Sequence, residues 1–337
     1  MIIKIIIALL VFMVVVVVHE FGHFIFAKRA NIKVNEFSVG MGPKIFGKQR
    51  GDTLYSIRAL PLGGFCAMEG EDEDSQDERA FNRKSVWKKA IIIVAGAAMN
   101  LIIAIILMIA VNYMNGVPTT TISQVEENSP AYTAGIQKGD KILSINDKKI
   151  NSWDDVQAVK NAVNTRELNI KVQRKDTELN IKTTLKENDR NKIIGIVPVS
   201  EKNIVKAIAN GPSATWNMAK SMYSGLYSLI TGKVSAKELS GPVGIVYLIN
   251  KGISRGFATV LYLTSLISLN LAIINMLPLP ALDGGRLLMV IIRRLTGKAI
   301  SSKVEGVIHA VGLGLLLLLT IYVTWNDIVR FIVPIFK

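Results

Sequence analysis

Two histidines and a glutamate stand at the end of an unbroken apolar run near the start of the chain. A helix turns about 100° per residue, so His19 and His23 project from one face, with Glu20 next to them. Imidazoles at this spacing hold metal ions such as zinc, and a carboxylate beside them can take a proton from an attacking water. The pattern predicts a metal site with His19 and His23 as ligands and Glu20 as the catalytic base. A weaker alternative is that the three residues only form the polar end of a membrane anchor.

A third ligand is expected near the other end of the chain, because catalytic zinc usually takes three protein ligands and a water. Asp283 is an anion at predicted membrane depth, directly after a proline-rich segment that ends a helix. An unpartnered carboxylate there is costly, which favours a bond to the metal. Gly284 and Gly285 are expected to let the backbone turn and aim this carboxylate sideways. The alternatives are an N-cap of the following helix and a salt bridge to Arg286.

The segments that carry these residues have the composition of a membrane protein. Half of the 337 residues are hydrophobic, and several apolar runs are long enough to cross a bilayer. The net charge of +14 does not indicate nucleic-acid binding, because twelve Lys and Arg fall between Ala27 and Lys89, beside the first apolar run. The predicted spans are residues 2–26, 90–111, 257–277 and 307–323.

The N-terminal segment is expected to be a retained span. Lys4 and the apolar run after it fit a secretory signal, but no small-x-small cleavage pattern precedes His19. Cys66 is the only cysteine, which excludes an internal disulfide and a four-thiolate zinc site. We expect it to be a small apolar core residue.

Residues 32–65, between the first two spans, are rich in glycine and contain short β-capable pieces. They are too apolar for a flexible linker. We therefore expect a membrane-associated β-hairpin layer that dips toward the active site and offers an edge to an extended peptide. An ordinary cytoplasmic loop is the alternative.

Residues 117–200 change to a polar, alternating pattern that predicts one small β-rich domain with a helix. The segment from Ser129 to Asn146 resembles the PDZ domains of bacterial proteases, which bind peptides by strand addition beside a helix. By this resemblance Ile194, Gly195 and Ile196 belong to a loop that binds a peptide C-terminus. The chain is accordingly divided into residues 1–116, 117–200, 201–256 and 257–337.

The third of these segments, residues 201–256, is expected to hold an interfacial amphipathic helix and a connector. Residues 213–231 are only moderately apolar, carry several aromatic residues and contain Lys220. Two polar residues of the spans are harder to assign. Asn100 makes either a helix-to-helix hydrogen bond or a contact near the metal, and His309 is expected to pair with Glu305 one turn away.

Basic segments after the first and third spans place His23 and Asp283 on the cytoplasmic side of the membrane. The N-terminus, the domain of residues 117–200 and the C-terminus then lie outside the cytoplasm. The predicted fold class is a polytopic α-helical membrane protein of about four spans, with a β-hairpin layer and one inserted extracytoplasmic PDZ-like α/β domain.

Four motifs in this order make the chain similar to a known family. They read HEFGH, PLGGF, SGPVGI and NMLPLPALDGGR, and begin at His19, Pro61, Ser240 and Asn275. Together they resemble the bacterial site-2 proteases, the RseP-type zinc metalloproteases of regulated intramembrane proteolysis that carry a PDZ domain. One departure is Ala97, at a position after glycine where the family often has proline.

The resemblance implies a Zn²⁺ cofactor and substrates that are single-span membrane proteins. These are anti-sigma factors already trimmed by an upstream site-1 protease, or remnant signal peptides. The implied location is the bacterial cytoplasmic (inner) membrane, with the lipid bilayer and no nucleic acid as a partner. The implied site residues are the zinc ligands His19, His23 and Asp283, the catalytic Glu20, and Asn270, Asn275, Gly63 and Gly64 for substrate binding.

Two other classes of protein fit the sequence less well. A non-catalytic membrane adaptor would use the PDZ-like domain to bind partners and hold a structural metal, but structural zinc usually has four protein ligands. A metal transporter would need a second polar path or an internal repeat, and the sequence has neither.

Overall fold

The computed structural model describes residues 2–71, 73–162, 167–188, 191–235, 240–296 and 302–335. The chain forms two compact units. The first unit consists of Met1–Val111 and Gly211–Lys337, and the second unit is Asn112–Asn210.

Helices and strands alternate in the following order. The helices are α1 Ile2–Arg29, α2 Val86–Asn115, α3 Pro130–Thr133, α4 Trp153–Ala162, α5 Ile204–Ile230, α6 Pro242–Ile253, α7 Phe257–Asn275, α8 Asp283–Thr296 and α9 Ser302–Asp327. The strands are β1 Val34–Arg50, β2 Thr53–Met68, β3 Val117–Val125, β4 Lys141–Ile145, β5 Lys148–Lys149, β6 Glu167–Arg174, β7 Thr177–Thr184, β8 Lys186–Asn188, β9 Asn191–Ile193 and β10 Ile196–Glu201.

Four helices of the described ranges are long and apolar enough to cross a membrane, as predicted. They are α1, α2, α7 and α9, with the last span running over Val304–Phe331. The helix predicted to lie at the membrane surface, α5, is not among the four. Small residues let α1 and α2 cross closely, because a Cβ at Gly22 would lie 2.4 Å from the carbonyl oxygen of Ala95.

Strands β1 and β2 form the predicted hairpin layer, but each strand doubles back on itself. Residues 34–39 pair with residues 64–68 on one side and with residues 54–57 on the other, and residues 44–50 pair with 53–58. Gly40 allows the bend in β1, with φ of +86° and a Cβ position only 2.7 Å from the Leu60 carbonyl oxygen. Residues 64–68 are therefore an edge of the layer, and Gly64 faces Val17 of α1.

Helix α6 occupies part of the predicted connector within residues 201–256. Pro242 starts the helix, where its missing N–H costs nothing. The buried carboxylate of Asp327, at the end of α9, accepts hydrogen bonds from Gly241 N at 2.9 Å and Gly244 N at 2.8 Å. The cap comes from a residue 83 or more positions away, so the local sequence does not show it.

The second unit is an antiparallel sheet with two helices. Among the described residues the strand order is β10-β3-β4-β6-β7, with β5 paired to β4. Helix α4 begins at a capping box in which Asp155 N bonds Ser152 Oγ at 3.2 Å and Asp155 Oδ2 accepts from Ser152 N at 2.9 Å. The core consists mainly of aliphatic residues from the sheet, including Ile122, Ile142, Ile145, Leu168, Ile170 and Val172.

A partly buried ion pair joins two strand ends in this unit. Arg174 Nε and Nη2 donate to the two carboxylate oxygens of Asp140, each at 2.8 Å. Burial alone would raise the pKa of Asp140, but hydrogen bonds from Arg174 and from the Gln137 N–H hold that pKa below its ordinary value.

We expect acid to destabilise the second unit through Asp140. A carboxyl group with a lower pKa in the folded state adds stability above its unfolded pKa of about 3.9, and this stability is lost as pH falls toward the folded pKa. Arg174→Leu should lower the free energy of unfolding by about 2–3 kcal/mol at neutral pH and weaken the acid dependence. Hydrogen exchange of buried amides, corrected for intrinsic rates, measures both effects.

The control is Lys171→Ala, which removes an exposed pair with Glu178 at 2.6 Å. This variant should lower the free energy of unfolding by less than about 1 kcal/mol. Equal losses in the two variants would contradict a special role for the Asp140 pair.

Candidate active site

Helix α1 brings the two histidines together at its C-terminal half. His19 Nε2 and His23 Nε2 lie 3.2 Å apart, and the two residues are 4% and 8% exposed. Their rings meet edge to face, with centroids 4.8 Å apart. The i,i+4 spacing therefore produces the convergence that the sequence predicts.

Asp283 joins the histidines as the first residue of α8. Its Oδ2 lies 3.1 Å from His19 Nε2 and 3.4 Å from His23 Nε2. Zinc bonds of about 2.0–2.1 Å to nitrogen and oxygen place tetrahedral ligand atoms about 3.3–3.4 Å apart, close to these separations. Within the described ranges these three residues form the group whose donor atoms could hold a metal ion.

The three donor atoms are arranged to bind a cation and not to form hydrogen bonds with one another. Asp283 Oδ2 is buried, and no hydrogen-bond donor satisfies it among the described residues. Two imidazole nitrogens and a carboxylate oxygen that point their lone pairs at one place repel unless a cation lies there. Two histidines and a carboxylate, with one position left for water, are the donor set of a catalytic zinc site.

The loop before Asp283 is held by close packing. The expectation that Gly284 and Gly285 provide its turn is wrong. Neither Gly284 nor Gly285 has a positive φ. They are glycines because a Cβ would lie 2.3 Å from the Leu277 carbonyl oxygen and 2.1 Å from that of Leu279, respectively. The backbone instead turns at Ala281, whose φ is +68°.

Helix α9 supports this loop through His309. The Nδ1 atom of His309 accepts a hydrogen bond from Ala281 N at 2.9 Å. Glu305, the partner expected from the sequence, pairs with Arg293 at 3.1 Å. The histidine of the fourth span thus helps to position Asp283, and only the folded chain shows this because 28 residues separate His309 from Ala281.

Glu20 lines a cavity of about 400 Å³ together with the three ligand candidates. Its carboxylate faces the backbone N–H of Cys66 in β2. The Cys66 side chain is buried in an apolar cluster with Ala27 and Ile92, which matches the core role expected for it.

A second cavity of about 260 Å³ shares Glu71, Ile93 and Arg286 with the first. Arg286, the alternative partner considered for Asp283, forms an ion pair with Glu71 in this shared wall. The second cavity is strongly charged, and its lining includes Glu73, Asp74, Lys89, Arg293 and Glu305.

The residues predicted to bind substrate are only partly brought to the site. Asn275 Nδ2 lies 3.1 Å from His19 Nε2, next to the ligand cluster. Gly63 and Gly64 lie against Val16 and Val17 of α1, just before the first histidine. Asn270 is exposed on α7 and is not in the lining of the cavity that Glu20 shares with the three ligand candidates.

The predicted carboxylate-binding loop belongs to the second unit. Ile194 is 4% exposed and packs in the core of that unit. Gly195 has φ of +84°, and a Cβ there would lie 2.1 Å from Ser129 Cβ. Ile196 begins β10, an edge strand of the described sheet.

Two residues of α2 in the site were not assigned from the sequence. A Cβ at Gly96 would lie 2.4 Å from His23 Nε2 and 2.8 Å from His19 Cε1, so only glycine leaves room for the two rings. Asn100, for which the sequence allows either a helix-to-helix hydrogen bond or a contact near the metal, is fully buried beside His19. A small and a polar residue four apart in a span share one helix face, and this spacing is the signal that could have identified them.

Comparison with known proteins decides the family. The sequence profile described as Peptidase family M50 matches residues 7–319. The chain belongs to peptidase family M50. A Clostridium acetobutylicum protein described as a zinc metalloprotease is 38% identical over 332 residues, covering 97% of both chains. The zinc metalloprotease RasP of Oceanobacillus iheyensis is 31% identical over 414 residues, covering 96% of this chain and 98% of RasP.

The M50 assignment confirms the resemblance to the site-2 proteases. This M50 protease is a zinc metalloprotease with zinc as its cofactor, as predicted. The apolar helices α1, α2, α7 and α9 make it a multi-pass membrane protein.

Proposed function

We propose that this M50 protease hydrolyses peptide bonds within or near the membrane-spanning segments of single-span proteins. The observation that carries the proposal is the convergence of Asp283 with His19 and His23, which lie in the C-terminal half of a spanning helix beside a β-strand edge. A zinc ion held by these three residues would polarise the scissile carbonyl and lower the pKa of a water.

Glu20 performs the proton transfers. It lies next to the ligands and lines the same cavity, so it takes a proton from the attacking water and delivers it to the leaving amine. Asn275, whose Nδ2 lies 3.1 Å from His19 Nε2, donates a hydrogen bond to the substrate backbone in this proposal. Asn270 contacts more distant parts of the substrate segment.

The substrate binds as an extended strand along residues 64–68. A peptide bond inside a helix is shielded by the hydrogen bonds of that helix, so the segment must unwind before cleavage. Its freed N–H and C=O groups then need partners in a place with little water. Residues 64–68 pair with β1 on one side, and Phe65 and Cys66 line the catalytic cavity, so the free side of this edge supplies those partners.

The second unit acts as a PDZ-like domain on the extracytoplasmic side, with predicted bounds at residues 117–200. Support comes from its antiparallel sheet, from the edge strand β10 and from Ile194 and Gly195, which lead into Ile196 at the start of that strand. An edge strand accepts a peptide by strand addition. The domain therefore binds the new C-terminus of a trimmed substrate or excludes untrimmed proteins by size.

Removing residues 117–200 separates these two roles. Loss of a size filter should allow cleavage of untrimmed single-span proteins, whereas loss of a C-terminus receptor should abolish cleavage of trimmed ones. The measurement is electrophoresis of both substrates after coexpression with the shortened protease. Unchanged cleavage of both would rule out either role for the domain.

The protease works in the bacterial cytoplasmic membrane, with its zinc site toward the cytoplasm. The basic segment before α2 and the Arg-rich end of α8 support this orientation under the positive-inside rule. An upstream site-1 protease then supplies substrates trimmed outside the membrane, such as anti-sigma factors, and remnant signal peptides form a second group.

Purified protease and a model single-span protein, reconstituted together in vesicles, test the proposal. We expect two fragments whose masses add up to the substrate plus one water, and no fragments after zinc removal by a chelator. Bound zinc without any cleavage would instead support the alternative of a membrane adaptor.

A further inference from the structure

Helix α2 packs against both histidines. In each ring, α2 contacts Nδ1, the nitrogen that points away from the ligand cluster. His23 Nδ1 lies 2.8 Å from the carbonyl oxygen of Ile92. A carbonyl oxygen only accepts, so the Nδ1 atom of His23 carries a proton and its Nε2 keeps a lone pair toward Asp283. The backbone of α2 therefore fixes the orientation of one proposed ligand.

The matching group for His19 is the side chain of Asn100. This residue is 0% exposed, and its Nδ2 atom lies 3.4 Å from His19 Nδ1. The other amide atom, Oδ1, is buried and has no hydrogen-bond partner among the described residues. A buried amide oxygen without a donor is costly, and His19 Nδ1, which lies beside this amide, is a group that can donate to it.

The amide must face the ring with its oxygen if His19 binds a metal ion. His19 Nε2 points at His23 and Asp283, and a nitrogen that ligates a metal carries no proton. The proton of the neutral ring then sits on Nδ1, which makes Nδ1 a donor. An amide NH₂ is also a donor, so only Asn100 Oδ1 can pair with it, and a half-turn of the amide brings Oδ1 to that position.

We propose that Asn100 is a positioning residue of the zinc site, whose Oδ1 accepts a hydrogen bond from His19 Nδ1–H. The inference rests on the proposed ligand role of His19. It assigns Asn100 the same task for His19 that the Ile92 carbonyl performs for His23. Such partners fix the ring orientation and increase the basicity of a metal-binding histidine.

A purely structural role, in which the Asn100 side chain links α2 to α7, does not explain why this amide lies beside His19. Its backbone carbonyl oxygen already accepts a hydrogen bond from Ser268 Oγ of α7 at 2.9 Å. One turn further along α2, Ser265 Oγ bonds the Ala104 carbonyl oxygen at 2.9 Å. The contact between α2 and α7 therefore has polar links that do not involve the Asn100 side chain.

Zinc affinity of three variants tests the proposal. Asn100→Leu removes the acceptor, Asn100→Asp keeps an oxygen acceptor, and Ser265→Ala removes an equally buried interhelical hydrogen bond away from the ligands. Purified proteins are titrated with a chelator of known affinity, and the melting temperature of each metal-free protein is recorded. We expect Asn100→Leu to weaken zinc binding about 10- to 100-fold. Asn100→Asp should bind zinc at least as tightly as the unchanged protein, and Ser265→Ala should bind it equally well.

An Asn100→Asp protein that loses zinc as readily as Asn100→Leu would overturn the proposal, since it would mean that the amide acts as a donor. Unchanged zinc affinity in Asn100→Leu would overturn it too. Should the leucine variant fail to fold, Asn100→Ala removes the acceptor in its place and is compared with Asn100→Asp and Ser265→Ala. His23→Ala is measured alongside, because retention of zinc in that variant would contradict the proposed ligands themselves, independently of Asn100.

Discussion

Replacing Glu20 by glutamine is expected to stop peptide hydrolysis while zinc stays bound and the fold is kept. Glutamine has nearly the size of glutamate and can still face the Cys66 N–H, but it cannot accept and return a proton at neutral pH. General acid–base groups contribute about 10²- to 10⁴-fold to rates, so the rate should fall by at least about 10²-fold. Cleavage of a single-span substrate, zinc content by mass spectrometry and the melting temperature are the measurements.

Glu78→Gln is the matched control for this substitution, because it makes the same chemical change at an exposed carboxylate in the same unit. It should cleave at the unchanged rate. Turnover by Glu20→Gln within a few-fold of the control would refute Glu20 as the proton carrier.

Replacing Gly96 by alanine is expected to remove zinc and activity together. The added methyl group would lie 2.4 Å from the atom of His23 that faces the ligand cluster, and 2.7 Å from its Cε1. Both imidazoles would have to move. The helices α1 and α2 cannot separate easily to make room, because they are in close contact at Gly22. We expect zinc affinity and the cleavage rate to fall by at least about 10²-fold, measured by chelator competition and substrate cleavage on the same preparations.

Gly314→Ala is the control for Gly96→Ala. Gly314 also lies in a spanning helix, α9, but a Cβ there would meet no atom within 4 Å. Alanine is the better helix former, so this variant should be neutral or gain up to about 1 kcal/mol. Full zinc occupancy in Gly96→Ala would show that the two rings tolerate the methyl group, contrary to the packing described above.

The sequence predicts the convergence of His19, His23 and Asp283, because each of these residues has a physical signal in the sequence. His19 and His23 are four apart on a helix, so their convergence follows from helix geometry alone. Asp283 was found by a physical argument about an isolated anion in a membrane, and the structure brings its Oδ2 within 3.4 Å of both rings. The four spans follow from length and hydropathy, which depend on no tertiary contact.

Features made by distant residues could not be predicted in this way. The acceptor role of His309 toward Ala281 and the Asp327 cap on α6 join positions far apart in the chain. The sequence predicts a turn at Gly284 and Gly285, where the structure shows close approach to carbonyl oxygens, because glycine serves both positive φ and close approach and the sequence does not distinguish these two uses. The doubled pairing of β1 is similarly a property of the folded layer, since one strand of that length would usually be read as a single extended segment.

The wall shared by the two cavities bears on how products leave. Every cleavage converts a neutral amide into an ammonium and a carboxylate, two ions that hydrocarbon does not solvate. Beyond Glu71 and Arg286, the neighbouring chamber presents fixed charges of both signs. We therefore expect newly formed chain ends to meet charged side chains of both signs within a few residues of the candidate metal site, in the neighbouring cavity.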